Sequence, residues 1–141
     1  MGEQSVDMLK GLYAAFARGD VPAVLGGFAD DIEWHEAEGM PYGGVYRGGD
    51  AVVQNVFAPL ATDVEGFAVT AEEFVGSGDT VAAVVRYTGT GKVTGKTLDV
   101  PVVHVWDIRD GEVTRFRQFI DTTKFAEIVP ADVSVASSRA A

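Results

Sequence analysis

Two residues that could do acid–base chemistry each share a strand face with apolar side chains. In the β-like stretch 98–109 the even positions are Leu98, Val100, Val102, His104, Trp106 and Ile108. Successive strand side chains point to opposite faces, so His104 travels with the apolar set. A histidine there is either a buried side chain with its hydrogen bonds met, or an acid, base or donor in an apolar pocket. Stretch 32–36 repeats the pattern: Ile32, Trp34 and Glu36 share one face, Glu33 and His35 the other. A carboxyl group among apolar neighbours has a raised pKa, which brings its basicity towards what a general base needs near neutral pH. If the strand stops at His35, Glu36 is simply solvated.

A third carboxylate, Asp121, closes the last β-like stretch and precedes Thr122 and Thr123. It is either a pocket carboxylate or the N-cap of a closing helix, and the following residues favour the cap. Arg86, between Val84 and Thr88, is placed to pair with a carboxylate, and His35 on the polar face is expected in solvent. Trp34, Tyr42, Tyr46, Phe57, Trp106 and Phe116 are candidate ligand-contacting aromatics. Most aromatics are core, but Tyr42 and Tyr46 lie in a glycine-rich segment suited to a pocket mouth. The run GTGKVTGK is not a phosphate loop: only three residues separate Gly91 from Gly95, so it reads as a hairpin. There is no nucleophile-elbow motif.

The elements that must hold these residues change character along the chain. Val6, Leu9, Tyr13 and Phe16 recur at helical spacing, with Ser5 as expected N-cap and Gly19 as stop. Asp20 caps a short second helix with Pro22 in its first turn. Segment 37–49 is expected as loop, and Asp50 as the cap of a third helix that stops near Pro59. From residue 64 onward Val, Thr and aromatics mark strands at 67–75, 81–88, 98–109 and 113–121. Short gaps between them imply an antiparallel meander, and 122–129 can close as a helix. Helices followed by an antiparallel sheet make an α+β domain over 1–129, with a disordered tail expected at 130–141.

Composition narrows the partners. The chain has 141 residues, 47% apolar and 23% charged, which is enough for one domain with a core. Eleven basic residues against 21 acidic ones give a net charge of −10, which argues against nucleic acid and anionic membranes. There is no cysteine and there are two histidines, which removes thiolate chemistry and a three-imidazole zinc site within one chain. No metal site and no cofactor are expected. No apolar run has membrane-helix length and the N-terminus lacks a secretory pattern, so a cytoplasmic location is expected.

The run Tyr13-Ala-Ala-Phe-Ala-Arg-Gly-Asp20, the later Phe28-Ala-Asp-Asp31, the segment Tyr46-Arg-Gly-Gly-Asp-Ala51 and the ending 110–121 together resemble the NTF2-like superfamily. Within it they resemble the SnoaL-like polyketide cyclases and the ketosteroid isomerases. The resemblance implies a cone-shaped α+β barrel, a strongly curved antiparallel sheet wrapped around three N-terminal helices that encloses an apolar pocket. It also implies a homodimer. Glu36 falls where the isomerases hold their carboxylate base, and His104 where they hold a protonated acid that donates to the substrate oxygen. Asp121 resembles the acid/base at the end of the last strand in the cyclases. The isomerase tyrosine aligns with Leu12, so Tyr13 is expected to point elsewhere. The implied function is a cofactor-independent isomerase, cyclase or dehydratase acting on a small, mostly apolar carbonyl compound. The alternatives are a non-catalytic dimeric module binding an apolar ligand or protein, and an epoxide-hydrolase-like enzyme activating water between Glu36 and Asp121.

Overall fold

The computed structural model describes residues 2–130, so the expected tail lies outside the described residues from 131 onward. Two helices open the chain, α1 (Gly2–Ala17) and α2 (Val21–Gly26), followed by strands β1 (Phe28–Glu36) and β2 (Gly44–Arg47). A helical segment follows: α3 (Gly49–Val52), a π turn (Val53–Phe57) and α4 (Ala58–Asp63). Strands β3 (Val64–Ser77), β4 (Thr80–Gly91), β5 (Thr97–Arg109) and β6 (Glu112–Ile120) form the meander, and α5 (Thr122–Ile128) closes it.

Local chemistry explains most boundaries. The Asp20 carboxylate accepts from the Ala23 N–H at 3.2 Å and Pro22 sits in the first turn of α2, as its sequence requires. At the β5–β6 turn, Asp110 and Gly111 have φ of 53° and 77°, the left-handed pair of a tight hairpin. Three expectations need correction. Helix α1 begins before Ser5, which lies inside it and is buried. Gly48 holds the N-cap of α3, with Asp50 in the first turn near the positive helix end. The helical segment also runs past Pro59. The Ala58 N–H reaches the Val53 carbonyl, the long step of a π turn, and Pro59 then falls in the first turn of α4, where no N–H is needed.

The sheet has six strands in the order β2-β1-β6-β5-β4-β3. It is curved, with β2 and β3 as edges, so the expected barrel is not closed. The expected meander holds from β3 to β6, but β1 lies parallel to β6, with Trp34 beside Phe116 and His35 beside Arg117. The sheet is therefore mixed: no short turn joins β1 to β6, so nothing forces them antiparallel. Segment 37–49 is not all loop, because β2 pairs back onto β1, Glu36 opposite Gly44. Between them, Gly43 leaves no room for a side chain, since a Cβ there would stand 2.7 Å from the Ala37 carbonyl oxygen. Register shifts in β3 between Glu65 and Ala68 and between Ala71 and Glu73 help bend the sheet.

Helix α1 packs on β3 and β4, and α3 on β1 and β2. The core sits between helices and sheet, with Leu9, Ile32, Val52, Val85, Val100, Val113 and Phe125 at or near full burial. No helix of the described residues is long and apolar enough to cross a membrane.

Candidate active site

Strand parity carries His104 and Glu36 inward. Along β5 the buried positions are Leu98, Val100, Val102, His104, Trp106 and Ile108; along β1, Ile32, Trp34 and Glu36 follow Phe28. The strand does not stop at His35, so Glu36 stays on the apolar face with 4% of its surface exposed. Both residues line one cavity with Trp34, Phe57, Trp106 and Phe116. The cavity measures about 50 Å³, or about 530 Å³ when all the empty space between its walls, including the part open to solvent, is counted. Its aromatic walls are tightly fitted, with Trp34 and Phe116 stacked at 3.7 Å and the Trp106 and Phe116 rings 4.7 Å apart.

Glu36 is a buried carboxyl group with half its bonding unmet. The Trp34 indole N–H donates to Oε1 at 3.0 Å, while Oε2 is buried without a hydrogen-bond partner. Burial pushes its pKa up to about 7, and the Trp34 N–H and the nearby Gln118 amide pull it only part of the way back. A carboxyl group so held can change charge near neutral pH.

His104 is held at both ring nitrogens. The Tyr13 hydroxyl oxygen lies 2.7 Å from Nδ1 and the Tyr87 hydroxyl oxygen 2.6 Å from Nε2. Burial drives its pKa down to about 3, so the ring is neutral. The two phenols are anchored in turn. Trp106 Nε1–H donates to Tyr13 at 2.9 Å, and the Gln118 side-chain N–H donates to Tyr87 at 2.9 Å. The Gln118 oxygen accepts the Ala37 backbone N–H at 3.1 Å, which ties the cluster to the residue after Glu36.

Tyr13 therefore does not point elsewhere: it lines the cavity together with Leu12. Neighbouring residues on a helix differ by roughly 100° in direction, and a concave cavity wall receives both. Tyr87 and Gln118 join the site without a motif to mark them. Tyr87 continues the buried alternation Val81, Ala83, Val85 along β4, and Gln118 shares the inward parity of Val113 and Phe116 only beyond the bulge at Thr114–Arg115.

Three expected site residues lie elsewhere. Asp121 is the N-cap of α5, its carboxylate accepting from the Lys124 N–H at 3.0 Å, because the strand has ended and the helix start needs an acceptor. It does not line the cavity, which removes the pair of carboxylates that water activation between Glu36 and Asp121 requires. Tyr42 donates to Asp63 at 2.7 Å inside the core, and Tyr46 donates to the Tyr42 carbonyl at 2.7 Å. These two hydroxyls pin the segment between β1 and β2, outside the cavity wall. On the outer face, His35 contacts Glu33, which also pairs with Arg47 at 3.1 Å, and Arg86 pairs with Asp99 at 3.2 Å.

A family model described as SnoaL-like domain matches residues 9–116. An uncharacterised protein of Mycobacterium tuberculosis is 30% identical over 118 residues, spanning 83% of this chain and 88% of its own. Among solved structures, an NTF2-like protein of Burkholderia thailandensis is 37% identical with a TM-score of 0.84, covering 88% of this chain and 95% of its own. The structure of TerC co-crystallised with polyporic acid is 29% identical with a TM-score of 0.81, covering 89% and 97%. With a cavity set between the helices and the concave side of a curved sheet, and a family model spanning most of its length, this chain belongs to the SnoaL-like domain family of the NTF2-like fold.

Proposed function

We propose that the protein is a cofactor-independent acid–base enzyme that enolises a small, mostly apolar carbonyl compound, in an isomerisation, cyclisation or dehydration. The observation that carries this is the unpaired Oε2 of Glu36, buried on the wall of an apolar cavity. An isolated carboxylate in such a place costs stability, and a group kept at that cost marks a site. Glu36 takes the proton from carbon next to the carbonyl. The hydroxyl–imidazole cluster around His104 hydrogen-bonds the developing enolate oxygen, where a preorganised donor counts most. Trp34, Phe57, Trp106 and Phe116 exclude water from the reacting atoms. That TerC was crystallised with polyporic acid supports an organic ligand for this fold.

The test is deuterium uptake at the carbon next to the carbonyl for a panel of cyclic ketones, followed by mass spectrometry with wild type and Glu36→Gln. Exchange by the wild type that falls at least tenfold in the variant is the expected result. Equal exchange in both overturns Glu36 as the base. A second reading, a dimeric module that binds an apolar ligand without chemistry, is favoured by one observation: both nitrogens of His104 are already tied to phenols. It predicts no exchange with any ketone.

A further inference from the structure

Protons are in surplus by one in the cluster around His104. The Trp106 indole nitrogen can only donate, so the Tyr13 oxygen accepts from it. The Ala37 N–H fixes the Gln118 oxygen, so the Gln118 nitrogen donates and the Tyr87 oxygen accepts. Between these two ends, one link joins Tyr13 to the ring and one joins the ring to Tyr87, and each link uses one proton. The ring is 4% exposed and packed among the rings of Tyr13, Tyr87, Trp106 and Phe116, with no carboxylate bonded to it, so it carries no charge and one proton. Each phenol brings one more. Two links consume two protons, and the third must sit on whichever tyrosine accepts from the ring N–H.

The sheet decides which tyrosine that is. The parallel register that sets His35 beside Arg117 brings Glu36 alongside Gln118, whose amide bonds Tyr87. The Glu36 charge acts on Tyr87, whereas Tyr13 stands at the other end of the ring against Trp106 and Phe74. An anion at the Tyr87 end favours the arrangement whose free O–H dipole lies at that end.

We propose that His104 donates from Nε2 to Tyr87 and accepts at Nδ1 from Tyr13, so that Tyr87 alone holds a hydroxyl proton free for the cavity, near the unpaired oxygen of Glu36. His104 is then a positioning residue, and Tyr87 is the catalytic donor. The cavity offers a ligand one donor and one acceptor. It suits a compound with a single acceptor oxygen close to an acidic C–H or O–H, and while Glu36 is ionised it disfavours a dianion or a pair of adjacent acceptor oxygens, for which no second proton is then at hand. The catalytic meaning rests on Glu36 as the base; the proton arrangement does not.

The experiment is long-range nitrogen–proton NMR at pH 8 to 8.5, where Glu36 is ionised, on the full chain labelled with nitrogen-15 histidine. His35→Gln assigns the two histidines. The expected His104 pattern is a neutral ring protonated at Nε2, in wild type and in Tyr13→Phe. In Tyr87→Phe the ring proton is expected to move to Nδ1, because only Tyr13 remains to accept it. A wild-type ring protonated at Nδ1, or at both nitrogens, overturns the proposal, as does a Tyr13→Phe variant whose tautomer flips. Ketone exchange by the wild type compared with Glu36→Gln reports on Glu36 separately. Loss of exchange with the Nε2–H tautomer intact leaves the proton arrangement standing, and the wrong tautomer with exchange intact removes it without touching the base.

Discussion

Replacing Glu36 by glutamine should stabilise the protein at alkaline pH and do little in acid. Burial raises the carboxyl pKa from an ordinary 4.5 to about 7. The folded state then binds a proton that the unfolded chain has released between those two pH values, so wild-type stability falls as pH rises through that window. About 2.5 pH units at about 1.36 kcal/mol each come to about 3 kcal/mol lost by pH 8. Glutamine has the size of glutamic acid, can accept the Trp34 N–H and does not ionise. Urea unfolding of both proteins from pH 4.5 to 8 measures the effect, and only the difference between them is read. Every other titrating group, His104 included, cancels in that difference. Any fixed cost of placing the new amide shifts the whole curve and leaves its slope. The expected difference moves in favour of Glu36→Gln by about 3 kcal/mol across the range. A difference that stays flat means that Glu36 titrates as a solvated carboxylate, and the reasoning from its burial fails.

Removing the Trp34 N–H with Trp34→Phe should raise the pKa of Glu36 further, since that donor holds it down. The midpoint of the ketone-exchange profile should move up by about 1 pH unit, because a hydrogen bond to a charged group is worth about 1.5 kcal/mol or more. An unmoved midpoint would separate the profile from Glu36. Asp121→Ala should cost about 1 kcal/mol in thermal or urea unfolding through the lost cap, Asp121→Asn much less, and neither should change exchange. A large loss of exchange in Asp121→Asn would return that carboxylate to the site.

The inward residues were legible wherever a strand kept its alternation. Parity alone sets His104 with Trp106 on β5 and Glu36 with Trp34 on β1, and the same alternation sets Tyr87 with Val85 on β4, where a phenol reads as one more core aromatic. Gln118 was harder, because the bulge next to Asp107 breaks the alternation of β6 before that residue is reached. The inward aim of Tyr13 does not follow from the alignment of Leu12, because a concave wall takes side chains from a broad arc of a helix. Asp121 was balanced between two uses, and the neighbouring Thr122 and Thr123 already favoured the cap that is seen. The parallel pairing of β1 with β6 left no local mark at all. It is a contact between distant segments, and it is what brings Glu36 to Gln118.

That pairing also fixes when the cavity can come into being. The strands β3 to β6 follow one another by short turns and can zip together from local contacts, whereas β1, paired locally with β2 on one edge, waits on its other edge for β6 near the far end of the described chain. Closing so long a loop is slow, and during synthesis β1 emerges well before β6 exists. Until then Trp34 lacks the Phe116 ring on which it stacks, and Glu36 keeps its water. The folding step that docks β1 is therefore also the step that strips solvent from the carboxylate, so the rate of that final docking should slow as pH rises and the charge must be buried.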